Sequence, residues 1–284
     1  MTEAANPTVA ASPASRSFHR IVCLTAEITE VIYALGEEDR IVGISGYTTR
    51  PARARREKPK VAAFTSAKID RILALEPDLV LGFSNLQADI AAELIHAGVE
   101  VHIFNQRSIQ GILRMILTVG QLVRAQEKAA ALVAGLENCI ATAQATAAEF
   151  DINPKVYFEE WDDPLISGIR WVAELIELAG GVDCFPELSS RASAADRIIN
   201  ADSVAERKPD IIIGSWCGKK FQPEKLMSRP GWDAIPAVQN GFVREIKSAD
   251  ILQPGPSVIT HGLSQLQSII RQWVVQQTHA KHWS

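Results

Sequence analysis

Glu159, Glu160, Asp162 and Asp163 surround Trp161, which places four carboxylates around one indole within five residues. Carboxylates this close can hold a metal, accept hydrogen bonds from ligand amides, or divide general acid and base work between them. Adjacent residues on an extended strand point to opposite faces, so only alternate members converge. A solvated acidic loop is the first reading, ligand hydrogen bonding the second and catalysis the third. Trp216-Cys217-Gly218 has the front of a dithiol motif, but Lys220 stands where the second cysteine belongs, and a dithiol cycle is impossible there. Cys217 is a plain loop cysteine or an exposed thiol whose pKa Lys219 and Lys220 lower. The same two lysines, with Arg170, would suit anionic groups on a ligand or serve solubility alone. His96, His102 and His261 are scattered, and His19, His279 and His282 lie near the ends. None forms an H-x-x-x-H, HExxH or Cys/His cluster, so no dedicated metal site is expected, and a metal would arrive inside a ligand. His261, after the Gln253–Ser257 turn, reads as a satisfied, half-buried histidine. Thr25, Ala26 and Glu27 follow the first strand in place of phosphate-binding glycines, and Gly43 to Gly46 is one residue short of a G-x-S-x-G elbow. No catalytic residue is assigned.

Large rings offer a different chemistry. Trp161 and Trp216 directly follow predicted strands, at the edge where open α/β sheets bind ligands. Such rings cover a flat apolar face with some 150–250 Å² each. Tyr47, Phe64 and Phe83 would form the opposing wall, with Leu252 in the Ile251–Pro256 turn. Trp171 and Trp232 read equally well as core.

These positions require a scaffold of strands and helices. The 284 residues are 47% hydrophobic and 22% charged, enough for one large core or two ordinary ones. Lys plus Arg number 29 against 33 Asp plus Glu, a formal charge of -4, so a nucleic-acid partner is not expected. The longest apolar stretches are strand-sized, far short of the roughly 20 residues that cross a bilayer. Strands are expected at 20–24, 41–45, 79–83, 99–104, 156–158, 210–214 and 242–246, and helices at 28–35, 69–75, 86–97, 170–179 and 257–276. Tyr47 to Lys60, with six basic residues and two prolines, reads as a surface loop. Residues 108–150 hold no proline and carry helical spacing, as one very long helix or two abutting ones. IDRILALEPDLVLG (69–82) is echoed by ADSVAERKPDIIIG (201–214) at an offset of 132 residues, and ITEVIYALG (28–36) by VAELIELAG (172–180). The expected fold is α/β: two Rossmann-like lobes with mostly parallel sheets, joined by a long bridging helix, with a ligand cleft between them. The boundaries are a disordered tail at 1–18, an N-terminal lobe at 19–107, the bridge at 108–150 and a C-terminal lobe at 151–284.

In order along the chain, TAEITEVIYALG with IVGIS (25–45), IDRILALEPDLVLG, the bridging segment, ELIELAGGVDCF (174–185) and SVAERKPDIII (203–213) resemble the periplasmic binding proteins for cobalamin and iron chelates. The cobalamin binders are the most similar subfamily, through Tyr47, Phe83 and DPLISG (163–168). The resemblance implies non-catalytic capture of a corrinoid or other tetrapyrrole between the lobes by a monomer, with no intrinsic cofactor, and delivery to an ABC transporter permease. Relatives that serve a permease carry a docking glutamate on each lobe. Asp70 and Asp202 occupy those positions here, keeping the charge and shortening the reach by a methylene. Asp before a helical run is also a favoured N-cap, a role expected at both. MTEAANPTVAASPASRS holds no basic n-region and no run of strong hydrophobes, and with the shortened aspartates this leads to the expectation of a cytoplasmic relative that binds its ligand without being a permease's delivery subunit, or of a periplasmic transporter subunit if the true start lies upstream. The alternative is an enzyme or chelatase-like protein using the Glu159–Asp163 cluster or Cys217.

Overall fold

The computed structural model describes residues 17–282. In the N-terminal half, β1 (Ile21–Cys23), α1 (Ala26–Ala34), β2 (Ile41–Ser45), α2 (Ala54–Glu57), β3 (Lys60–Ala62), α3 (Ile69–Leu73), β4 (Leu79–Phe83), α4 (Ala88–His96) and β5 (Val101–Phe104) follow one another. Their strands form an all-parallel sheet in the order β3-β2-β1-β4-β5. Residues of the central strands alternate between faces, as the period of two demands. Ile21, Cys23, Leu79 and Leu81 join Ile28 and Ile32 of α1 on one face, whereas Val22, Leu24 and Val80 meet Ile72, Ile90 and Leu94 on the other.

Two helices cross between the halves, α5 (Ile109–Leu122) and α6 (Gln126–Ala147). The single long helix is thus resolved into two, because Arg124 takes a left-handed φ of 59° and ends the first. The two pack closely, and a Cβ on Gly120 would collide with that of Ala129. At 1.5 Å per residue the 22-residue α6 spans about 33 Å. Lys128 near its start reaches Glu37 Oε1 at 3.1 Å, and Ala143 near its end accepts from Gln267 in the last helix at 2.8 Å.

The C-terminal half contains β6 (Lys155–Asp162), β7 (Leu165–Ser167), α7 (Arg170–Leu178), β8 (Val182–Asp183), α8 (Pro186–Ser189), α9 (Ala201–Arg207), β9 (Ile211–Gly214), α10 (Pro223–Met227), α11 (Pro236–Gln239), β10 (Val243–Glu245), α12 (Ser248–Ile251) and α13 (Ser264–His282). A π-helical turn at Val258–Leu263 leads into α13. The sheet order is β10-β9-β6-β7, with β8 beside the start of β6, and only the β6–β7 pair is antiparallel. Val156, Phe158, Ile211 and Ile213 share an apolar cluster with Leu79, Leu81 and α5, so one continuous core joins the two lobes.

The repeated Pro-Asp-aliphatic-Gly segment has a packing reason. Gly82, next to the last residue of β4, and Gly214, the last of β9, are equivalent in the repeat; a Cβ at Gly82 would lie 2.5 Å from Gln87 Oε1, while one at Gly214 would overlap the Phe221 ring. In each half the following loop folds back onto the strand end.

Several expectations are corrected. Part of the 47–60 loop forms α2, and its last residue opens the edge strand β3. Of the expected tail, residues 1–16 lie outside the described residues, while Ser17 Oγ and Phe18 O accept from Arg40 at 3.0 and 2.6 Å. Glu159, Glu160 and Asp162 belong to the end of strand β6 rather than to a loop, and only Asp163 lies in the turn that follows.

Candidate functional site

In a sheet ordered β3-β2-β1-β4-β5 the chain reverses its direction of growth between β1 and β4, and ligands bind beyond the C-terminal strand ends at such a switch point. Thr25 and Ser84 follow those two strands. Ser84 has φ 77° and ψ 155°, a backbone region that costs a non-glycine residue about 1–3 kcal/mol and is found at functional sites. Its hydroxyl accepts from Leu86 N at 3.1 Å, which holds the turn. Tyr47, after β2, is 56% exposed, and Phe64, after β3, is 36% exposed. Phe83 is 5% exposed, with its ring 6.4 Å from that of Phe64 and the Arg107 guanidinium 4.8 Å above it. On this side the structure places two open rings, Tyr47 and Phe64, and a buried one, Phe83, at the strand ends.

The opposite side differs from expectation. Trp216 is 3% exposed, in the core, donating its indole N–H to Glu159 Oε1 at 2.9 Å and meeting Phe221 edge-on at 5.0 Å. The Tyr157 hydroxyl donates to Glu159 Oε2 at 3.0 Å, and Arg229 binds both carboxylate oxygens, at 2.5 and 2.9 Å. Trp161 is half-buried, its N–H bonded to Asp163 O at 2.8 Å and its ring covered by Lys219 at 4.3 Å. Lys219 and Lys225 both pair with Asp162; burial alone would raise its pKa, and the two ammonium groups hold it below the usual value. Arg197 pairs with Glu160 at 2.6 Å. Glu159, Glu160 and Asp162 are thus neither a solvated loop nor free acids and bases, because each has a cationic partner, while Asp163 is exposed in the turn. Burial, and then Glu160, push the Cys217 thiol up, opposite to the expected activation by lysines. Trp171 and Trp232 are core residues, donating to Ile251 O and Ala201 O. His261 is exposed rather than half-buried, with Nδ1 2.8 Å from the Thr260 hydroxyl.

The segment after β10 ties the two sheets together. Asp250 pairs with Arg50, Arg50 also donates to Ala249 O at 2.8 Å, and Gln253 donates to Tyr47 O at 3.3 Å. Gln106 donates to Pro254 O at 3.1 Å and Ser257 to Glu30 Oε2 at 3.0 Å. Leu252, half-buried, packs on the shared core beside these contacts. Burial raises Glu27 to about 7 and Glu30 to about 6.

Buried polar atoms without partners gather around this edge. Of seven such atoms among the described residues, Thr48 Oγ1, Gln106 Oε1, Arg107 Nε and Ser215 Oγ lie in loops beyond C-terminal strand ends; the others are Arg197 Nε, Glu38 Oε2 and Asp162 Oδ1, which meets Lys219 as an ion pair. Such atoms are uncommon, since buried polar groups are as a rule hydrogen-bonded. Arg107, Gln106 and Ser84 were not among the residues expected from sequence. No motif or neighbour marks them, and the only usable signal is their position just past a strand.

Asp70 and Asp202 are exposed and lie inside the first turns of α3 and α9. Neither is the N-cap; Lys68 precedes α3, and Asn200 caps α9 through Ser203 N at 2.7 Å. A separate groove of about 800 Å³ runs along α5, α6 and α7, but charged Glu137, Arg170, Glu174 and Glu177 line it and no aromatic ring does. Among the described residues no group of three or more His, Cys, Asp or Glu is gathered as metal ligands, and no helix is long and apolar enough to cross a membrane.

Comparison with known proteins supplies the context for this edge. A family model described as periplasmic binding protein matches residues 21–249. A vitamin B12-binding protein of Vibrio campbellii is 26% identical over 254 residues, covering 86% of each chain. An ABC transporter substrate-binding lipoprotein of Bacillus subtilis is 26% identical over 88% of this chain and 79% of its own. Among solved structures, a periplasmic haem-binding protein of Roseiflexus superposes with a TM-score of 0.78 at 24% identity, over 90% of this chain and 99% of that one.

Proposed function

Because this chain belongs to the periplasmic binding protein family, we propose that it holds a cobalamin-like corrinoid or another tetrapyrrole between the C-terminal strand ends of its two sheets. Its general role is that of a solute-binding protein and not of an enzyme. The observation that carries the ligand reading is the coincidence at one edge of open rings, Tyr47 and Phe64, with buried unpartnered polar atoms on Thr48, Gln106 and Arg107. A flat ligand covering both rings would remove roughly 250 Å² of combined apolar surface, contributing about 6 kcal/mol at about 25 cal/mol per Å². Micromolar affinity is a net of about 8 kcal/mol left after association has cost at least about 4 kcal/mol, so the polar groups around the rings must contribute as well. The names of the cobalamin-binding and haem-binding relatives fit this division between flat surface and polar rim.

Asp70 and Asp202, exposed at equivalent positions of the repeat, are the charges this reading assigns to arginines of an ABC permease. The protein would deliver its ligand as a monomer. Relatives named as a lipoprotein and as periplasmic proteins lend no support to a cytoplasmic protein and fit delivery at a membrane.

Titration of the purified protein with cobalamin, cobinamide and haemin, followed by ligand absorbance and tryptophan quenching, tests the reading. Micromolar or tighter binding of at least one is expected. Absence of micromolar binding to all three would reject it.

A further inference from the structure

Arg107 is the one half-buried guanidinium at the strand-end edge for which no carboxylate partner is found among the described residues. Its Nη1 donates only to the neighbouring Gln106 carbonyl at 3.3 Å, its Nε is buried without an acceptor, and its face rests on Phe83. A second guanidinium approaches from the other half of the molecule. Arg197 is 1% exposed, fixed by Glu160 at 2.6 and 3.3 Å and by the Ser167 carbonyl, and its Nε also has no acceptor. The carboxylate here, Glu160, is taken by Arg197, and Arg107 is left without one. The shortage is felt: burial, and then the Arg197 charge, lower the pKa of Arg107. Partly desolvated charge without a counter-ion is costly, and proteins keep it where a partner arrives from outside. Guanidinium pairs carboxylate and phosphate in a planar, two-pronged geometry, and the stack on Phe83 sets the plane.

We propose that Arg107, backed by Arg197, binds an anionic group, a carboxylate or a phosphate, carried by the flat ligand that Tyr47 and Phe64 cover. The assignment rests on the tetrapyrrole reading and narrows it: the ligand is a flat molecule with a charged arm, and the arm lies over Phe83, where the two halves meet. Arg197, already held by Glu160, adds field and does not need to move. Lys219 and Lys225 do not compete for this role, since Asp162 holds both.

Two ligand pairs separate the anion from the flat body. Haemin and its dimethyl ester differ in free carboxylates; cobalamin and cobinamide differ in the phosphate-bearing arm. Wild type and Arg107→Met are titrated with all four by absorbance, with the melting temperature of the ligand-free variant as a check on folding. Removing an uncompensated cation should leave that melting point unchanged or raised. For at least one pair, wild type should prefer the anionic member, and Arg107→Met should weaken that member about 10–100-fold, as expected for a lost charge-assisted hydrogen bond, leaving the neutral member within about twofold. A loss confined to the haemin pair assigns a carboxylate, and one confined to the cobalamin pair a phosphate. Equal binding of both members of each pair by wild type, or an equal effect of the substitution on both, overturns the assignment alone. Wild type that binds none of the four overturns the tetrapyrrole reading as well.

Discussion

Replacing Glu159 by Gln should destabilise the C-terminal half severely. The carboxylate is fully buried and takes two bonds from Arg229, one from the Trp216 indole and one from the Tyr157 hydroxyl. The amide keeps an oxygen for Trp216 but withdraws the counter-charge from Arg229, whose side chain is itself largely buried. Breaking a buried pair by removing one partner costs about 3–5 kcal/mol. For a protein of this size each kcal/mol moves the melting temperature by roughly 2–4 °C, so Glu159→Gln should melt roughly 6–20 °C lower than wild type. The second arm of the experiment is Glu159→Gln combined with Arg229→Met. With the stranded cation gone and the amide still able to bond Trp216 and Tyr157, the double variant should regain at least half of the loss, a coupling of about 2 kcal/mol or more. Calorimetric melting of the four proteins reads this directly. A single variant that loses less than about 1 kcal/mol, or a double variant that loses the sum of both singles, would refute the view that this carboxylate is a structural counter-ion.

Other outcomes follow from the same contacts. Burial holds Glu27 at about 7 against an unfolded value of 4.5, so its protonated form favours folding fully below that unfolded value, and this stability is lost as pH rises through about 7. Between pH 5 and 8 the loss should be about 2–3 kcal/mol in urea unfolding, and Glu27→Gln should abolish that part of the slope; a variant with the wild-type slope would locate the titration elsewhere. Tyr47→Ala and Phe64→Ala should each weaken ligand binding about 5–20-fold, for roughly 1–2 kcal/mol of lost ring contact, with unchanged melting; unaltered affinity would remove those rings from the site. Asp70→Arg and Asp202→Arg should leave ligand affinity intact while reducing binding-protein-stimulated ATP hydrolysis by a reconstituted permease at least tenfold; full stimulation would contradict the docking role.

Most of the scaffold can be read along the chain, because the central strands are buried on both faces and show as uninterrupted apolar runs. Leu79–Phe83 and Ile41–Ser45 have the same limits in sequence and structure, and the 132-residue repeat locates two strands that carry equivalent glycines at or next to their last residue. Edge strands are harder. β3 opens at Lys60 after a basic stretch, and β7 has only three residues, so neither carries a long apolar pattern. The site is legible in half. Tyr47 and Phe64 stand where the strand-end rule places them, but the fate of Trp216 depends on Glu159, 57 residues away. An indole with a buried acceptor belongs to the core, and nothing local to Trp216-Cys217-Gly218 announces that acceptor. The importance of Arg107 lies in what it lacks, a carboxylate partner, and such a shortage becomes visible only in three dimensions.

Hydrogen–deuterium exchange on the complex with the ligand that binds best would test the central claim most directly. The account predicts that protection on binding concentrates at the facing strand ends, in residues 46–49, 62–65, 83–87, 105–108 and 252–256. Protection confined to residues 137–148 and 170–178, along the helical groove, with the strand-end loops unchanged, would contradict it.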